Sequence, residues 1–268
     1  SHKDPHRQLP SNTKELILVG GMNVGKTSMA SLFNPNPVPL SRHHTHSVVH
    51  AHTHTRPQST QLLNINIRTW DQGGGDRFVS LLLSQMSFPG AVALVYVISV
   101  DGNLESQLDT LRRFLEIRQR RYGDVGMDLM IHKTDLVSLE QVESVRREVE
   151  NVVGDCVEDI YATSIWDESF YDTWCRIARK FVPDLTGVEQ KLESFRDIND
   201  LVEVALYDYR SLLLLCSVTD TEHLEKTRHE KLRSLFRWFH FSKRFSTCEI
   251  EDQNFLFFWK NLNCKFGL

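Results

Sequence analysis

Gly20-Gly21-Met22-Asn23-Val24-Gly25-Lys26-Thr27 fits G-x-x-x-x-G-K-[ST], the spacing of a phosphate-binding loop. The residues around it supply the context that spacing needs. Glu15-Leu16-Ile17-Leu18-Val19 is an apolar run of buried-strand character, and Ser28-Met29-Ala30-Ser31-Leu32-Phe33 can open a helix. Glycines at 20, 21 and 25 let backbone N–H groups turn inward around phosphate oxygens without a Cβ in the way. The helix N-terminus adds about half a positive charge. Gly20, Met22, Asn23, Val24, Gly25, Lys26, Thr27 and Ser28 are therefore the expected phosphate contacts. Lys26 reaches the β- and γ-phosphates, and the Thr27 hydroxyl holds Mg²⁺.

The rest of the composition bounds what such a loop serves. The chain has 268 residues, enough for one large or two modest domains, and 41% apolar with 25% charged is a globular balance. A net charge of −4 gives no basic footprint for nucleic acid. Five scattered cysteines (156, 175, 216, 248 and 264) show no zinc-type spacing and point to a reducing cytoplasm. The longest apolar run, 91–98, is too short to span a bilayer, so no direct membrane insertion is expected. A chain that opens at Ser1 without Met reads as a fragment or a processed form.

Residues 1–14 read as a flexible tail, 15–184 as a nucleotide-binding domain and 185–268 as a smaller α+β domain. Prolines at 35, 37, 39 and 57 forbid a helix across 34–57 and imply a long loop. Residues 62–70 alternate as one strand with a wet face. They are followed by the glycine turn Asp71–Asp76 and a short helix at 77–86. Residues 91–100 form a continuous apolar strand of the kind buried in a parallel sheet. A helix over 104–121 presents Leu108, Leu111, Phe114, Leu115 and Ile117 inward. Strands at 128–131 and 159–162 alternate with helices at 139–153 and 169–181, the last with Trp174, Ile177 and Ala178 inward. This is α/β architecture: a mainly parallel sheet with ligands at the carboxyl ends of its strands. Beyond Pro183 the pattern changes to an amphipathic helix at 185–197 (Val188, Leu192, Phe195). Two strands follow around Asp208, the second over 212–215, then a long helix at 221–240 and an apolar segment at 255–259. Trp166 and Trp174 are expected in the core.

The base is read from His132-Lys133-Thr134-Asp135, at the end of a strand. A carboxylate at 135 can accept two hydrogen bonds from N1–H and the exocyclic amine of guanine, a donor pair that adenine lacks. The Lys133 stem lies along the base. Asp71-x-x-Gly74 supplies a water-mediated Mg²⁺ ligand at Asp71 and a γ-phosphate contact from the Gly74 N–H. Thr163-Ser164-Ile165 is placed to close over the base.

With these four motifs in order, the chain resembles the Rag/Gtr GTPases, of the Rag A/B (yeast Gtr-one) type. The resemblance rests on Trp70–Gly74, Ala93–Val97, Ile131–Val137 and Thr163–Tyr171, and runs on through Glu193–Phe195, 202–217 and Ser246–Phe255. It implies a Ras-like P-loop domain that binds GTP/GDP and Mg²⁺, followed by a roadblock-type domain that pairs with a Rag C/D-type partner. It further implies amino-acid signalling to the TOR kinase complex, at lysosomal or vacuolar membranes where a scaffold complex tethers the heterodimer peripherally. Three departures stand out. The family's catalytic Gln falls on Gly75, and glycine cannot orient an attacking water, so hydrolysis is expected to be slow. The Mg²⁺-binding Thr of switch one aligns near Ser47, with Thr45 as rival. The last roadblock elements are expected to be missing or divergent after 255–259.

Six histidines crowd 43–54, and His50, His52 and His54 share one face of an extended strand. Such a face suits Zn²⁺ or Cu²⁺, but no carboxylate or thiol joins it, and a solvent-facing switch loop is the simpler account. Two functions of different class stay open: a GTP-hydrolysing switch, or a GTP-locked scaffold acting only through protein contacts.

Overall fold

A computed structural model describes residues 15–26, 28–29, 58–62, 65–69, 91–121, 125–208, 211–220, 227–234, 247–252 and 255–260. Its contacts divide the chain into two compact units, Ser1–Ala178 and Arg179–Leu268, a few residues before the change of pattern at 184/185.

The first unit is built on a six-stranded sheet. Its strands are β1 (Glu15–Gly20), β2 (Gln58–Leu62), β3 (Ile65–Thr69), β4 (Ala91–Ser99), β5 (Met127–His132) and β6 (Ile160–Thr163). Their order across the sheet is β2-β3-β1-β4-β5-β6. All pairs are parallel except β2 with β3. The expectation of one strand over 62–70 is thereby corrected: the segment holds β3 and the end of an antiparallel β2. Polar Gln58-Ser59-Thr60-Gln61 carries no apolar alternation to announce that strand.

Apolar continuity in β1, β4 and β5 has a direct cause. Successive side chains point to opposite faces of a sheet, so strands buried on both faces are apolar along most of their length. Ile17, Val19, Leu94, Tyr96, Ile98, Met127, Leu129 and Ile131 join one core cluster. The alternate residues Leu16, Leu18, Val95, Val97 and Met130 are fully buried as well. The cluster is completed by Leu108, Leu111, Phe114 and Ile117 of helix α1 (Leu104–Arg121) and by Val149 and Val153 of α2 (Leu139–Val153). Helix α3 (Glu168–Arg179) buries Phe170, Trp174, Ile177 and Ala178 completely. Trp166, expected in the core, is instead 37% exposed.

β1 lies between β3 and β4, so chain order runs outward from it in both directions across the sheet. That reversal is a topological switch point, beside which open α/β sheets bind ligands. No described helix is long and apolar enough to cross a membrane.

In the second unit, α4 (Leu185–Ile198) is followed by the antiparallel pair β7 (Glu203–Tyr207) and β8 (Leu214–Thr219). A second antiparallel pair joins β9 (Thr247–Asp252) and β10 (Phe255–Lys260). β9 is another strand whose sequence, Thr-Cys-Glu-Ile-Glu-Asp, gave little warning. Residues 228–234 are helical; the remainder of the helix expected over 221–240 lies outside the described residues. Leu212 and Leu213, expected within a strand, lie before β8, with Leu212 at φ 58. Arg228 grips Glu203 through two bonds of 2.8 and 2.9 Å. Phe195, expected on the inner face of α4, is 54% exposed.

Candidate functional site

Strand β1 delivers the chain to the glycine loop at the carboxyl edge of the sheet. Gly20 pairs with Val97 of β4, at φ +148, and a Cβ there would sit 2.3 Å from the Val97 carbonyl oxygen. Asn23 takes a left-handed turn at φ 59. Gly25, at φ +100, is crowded too: its Cβ would meet His132 Cδ2 at 2.6 Å and Nε2 at 2.9 Å. Helix then begins, with Met29 N–H donating to the Gly25 carbonyl at 2.9 Å. These glycines are required by space as well as by backbone conformation.

Lys26 is only 2% exposed, and its ammonium donates to the Gly20 and Gly21 carbonyls at 3.0 and 2.5 Å. A buried ammonium needs such acceptors. Here they hold it across the loop whose N–H groups suit an anion. Val24 is buried, Ser28 half-buried, and Met22 and Asn23 exposed.

Strand β5 brings the second half of the site alongside. His132 is 1% exposed and its Nδ1 is 2.9 Å from Thr163 Oγ1 at the end of β6. Burial, with help from the neighbouring Lys133 charge, lowers its pKa to about 4, so the ring is neutral at physiological pH. The imidazole thus touches the glycine loop on one side and β6 on the other. Next, Lys133 adopts a left-handed conformation (φ 62, ψ 36) and caps the short 3-10 turn Thr134–Leu136. Its ammonium binds Asp101 Oδ2 at 2.8 Å. Asp135 is exposed, and one carboxylate oxygen accepts from Ser164 Oγ at 2.6 Å. Ser164 is fully buried; its Oγ also accepts from Trp166 N–H at 3.1 Å, while its own N–H donates to Ser169 Oγ at 3.0 Å. Ile165 follows, half-buried.

The structure therefore gathers Gly20, Gly25, Lys26, His132, Lys133, Asp135 and Ser164 at one edge of the sheet. A cleft of about 420 Å³ adjoins them, lined by Gly21–Val24, the end of β4, Asp101, the first turns of α1 and Lys133. Its lining includes neither Lys26 nor Asp135. It is a neighbouring hollow that shares the glycine loop as a wall. Thr27, Ser47, Asp71, Gly74 and Gly75 lie outside the described residues, as does the histidine cluster at 43–54. Among the described residues no group of three or more His, Cys, Asp or Glu could hold a metal ion. Sequence reasoning missed Asp101. Its one signal was position: an Asp-Gly turn two residues past an apolar strand, at the sheet edge where ligands bind.

Strand order, glycine loop and buried lysine together define a Ras-like α/β domain of the P-loop class. Comparison with known proteins carries this further. The Gtr1/RagA G protein conserved region matches residues 15–236, and the chain belongs to that family. It is 26% identical to Ras-related GTP-binding protein B of Rattus norvegicus, across 91% of this chain and 76% of that one. GTP-binding protein GTR1 of Saccharomyces cerevisiae is 25% identical, across 77% of this chain and 69% of its own. Ras-related GTP-binding protein C of Mus musculus matches less of both, at 24% identity over 62% of this chain and 44% of that one.

Proposed function

We propose that this chain is the guanine-nucleotide-binding switch subunit of a Rag-type heterodimer. The observation that supports it best is Asp135. Its carboxylate is held by a buried serine, on a loop whose preceding residue but two, His132, packs against the phosphate-loop glycine. A carboxylate held in this way presents acceptors to the N1–H and amine of guanine, and a site built on polar groups rejects a base lacking those donors by about 10⁴-fold. The glycine loop and Lys26 fit the polyphosphate: positive φ at Gly20, Asn23 and Gly25 bends the loop ahead of a helix N-terminus, an arrangement suited to anionic oxygens. Thr27 and Asp71, with Ser47 or Thr45, would hold Mg²⁺, which would neutralise phosphate charge. Nucleotide extracted from the purified chain is expected to be GDP or GTP; an adenine nucleotide, or none, would overturn the reading.

Relatives of both the B and C kinds match this chain, which supports a partner of Rag C/D type bound through a roadblock-type second unit. On that reading the heterodimer signals amino-acid supply to the TOR complex and sits peripherally on lysosomal or vacuolar membranes through a scaffold. The second reading rests on Gly75, which has no side chain to orient water: a GTP-locked subunit that works by presenting a surface. Single-turnover assays on the heterodimer separate the two. Phosphate release, with or without an activating protein, favours the switch, and its complete absence favours the scaffold.

A further inference from the structure

We infer that Asp101 is a positioning residue for the base-binding loop: it anchors the Lys133 ammonium and so fixes His132–Asp135 in the shape that receives the base. This rests on the base-binding reading above.

The argument begins with backbone conformation. Lys133 is left-handed at φ 62, where a non-glycine residue persists only if its surroundings determine it on several sides. Before it, His132 is fixed by burial and by Thr163. After it, Leu136 N–H closes the turn onto the Lys133 carbonyl at 3.1 Å. The third restraint is the side chain itself, drawn to Asp101 Oδ2 at 2.8 Å.

Asp101 is in turn well held. Ser99 Oγ donates to its other carboxylate oxygen. Ser99 is clasped by Gln107 of α1, which accepts from its N–H at 2.8 Å and donates to its carbonyl at 2.9 Å. Val100 N–H donates to the His132 carbonyl at 3.1 Å, continuing the Ser99–His132 register between β4 and β5. The pair thus bridges two adjacent loops at the sheet edge, each tied to its strand. Burial alone would raise the Asp101 pKa, but the bonds from Lys133 and Ser99 outweigh it and hold the carboxyl below its ordinary range. At 27% and 40% exposure the two side chains are partly screened, so the expected effect is moderate.

The test measures release of GDP carrying a ribose-linked fluorophore from the full chain. Asp101→Ala is expected to release it about fivefold faster. Asp101→Asn keeps an oxygen that accepts from Lys133 and is expected to recover most of the loss, which also answers whether the alanine variant is merely misfolded. Asp101→Ala with Lys133→Ala is expected to release no faster than Lys133→Ala alone, because both remove one interaction. Release by Asp101→Ala at the wild-type rate, or single effects that multiply in the double variant, would overturn the inference while leaving the base-binding reading intact. A wild-type chain that takes up no GDP would overturn both.

Discussion

His132 sits where many guanine-binding loops carry asparagine, and its surroundings explain how an imidazole serves there. The flat ring fills the space beneath Gly25 and keeps one nitrogen on Thr163. Between about pH 4 and 6.5 the folded state keeps this ring neutral while the unfolded chain protonates it. The contribution of His132 is therefore complete above pH 6.5 and is lost as pH falls toward 4, to a limit of order 3 kcal/mol. Urea unfolding at pH 7 and pH 5 is expected to show the loss, and His132→Asn to flatten that part of the slope. His229 acts in the same direction in the second unit: burial first, then Arg228, lowers its pKa against the pull of Glu203. The comparison with the variant isolates His132. At Asp135, replacement by Asn turns an acceptor into a donor toward the base. Competition binding is expected to show preference moving from guanine to xanthine nucleotide, and unchanged GTP affinity would remove Asp135 from the base site. The glycines, Lys26 and Asp135 were legible because their spacing is short and local. The Asp101–Lys133 pair was not, because it joins residues 32 apart that only the β4–β5 register brings together.

Elements were legible where burial dictates pattern. β1, β4 and β5 are apolar along most of their length because the sheet is covered on both faces, with Asp128 a buried polar exception, and α1 repeats its apolar residues at helical spacing for the same core. β2 and β9 were not legible: their polar sequences take strand form from a neighbouring strand rather than from their own alternation. Helix ends carry local signals that can be tested. α2 opens with a capping box in which Ser138 Oγ accepts from Gln141 N–H at 3.3 Å and the Gln141 side chain accepts from Ser138 N–H at 3.0 Å. Ser138→Ala is expected to lower stability to urea by about 1 kcal/mol. In α3, Trp174 is fully buried, and Trp174→Ala is expected to cost about 3–5 kcal/mol by leaving a cavity. A loss below 1 kcal/mol, on the order of a surface change, would contradict the packing described.

At the scale of the molecule, the division at 178/179 leaves exposed apolar side chains on both units: Met22, Leu136, Leu139 and Trp166 on the first, with the candidate site, and four more on the second. Phe195, Ile198, Val202 and Leu206 of the second unit are all at least 37% exposed. Under the proposed function the full chain co-expressed with a Rag C/D-type protein is expected to run as a one-to-one complex in sedimentation analysis. Independent migration of the two chains would count against the heterodimer. The loss of β/α alternation past Pro183 places a change of pattern near residue 184, while the contacts divide the chain at 178/179.

The seating of Gly25 on the His132 ring bears on how a ligand leaves. Under the proposed function, the loop expected at the phosphates and the loop expected at the base meet at this contact, which would couple their loosening. On the same reading, moving Thr163 at the end of β6 is expected to loosen the imidazole beside the glycine loop, so an exchange catalyst acting there would not have to reach the phosphates.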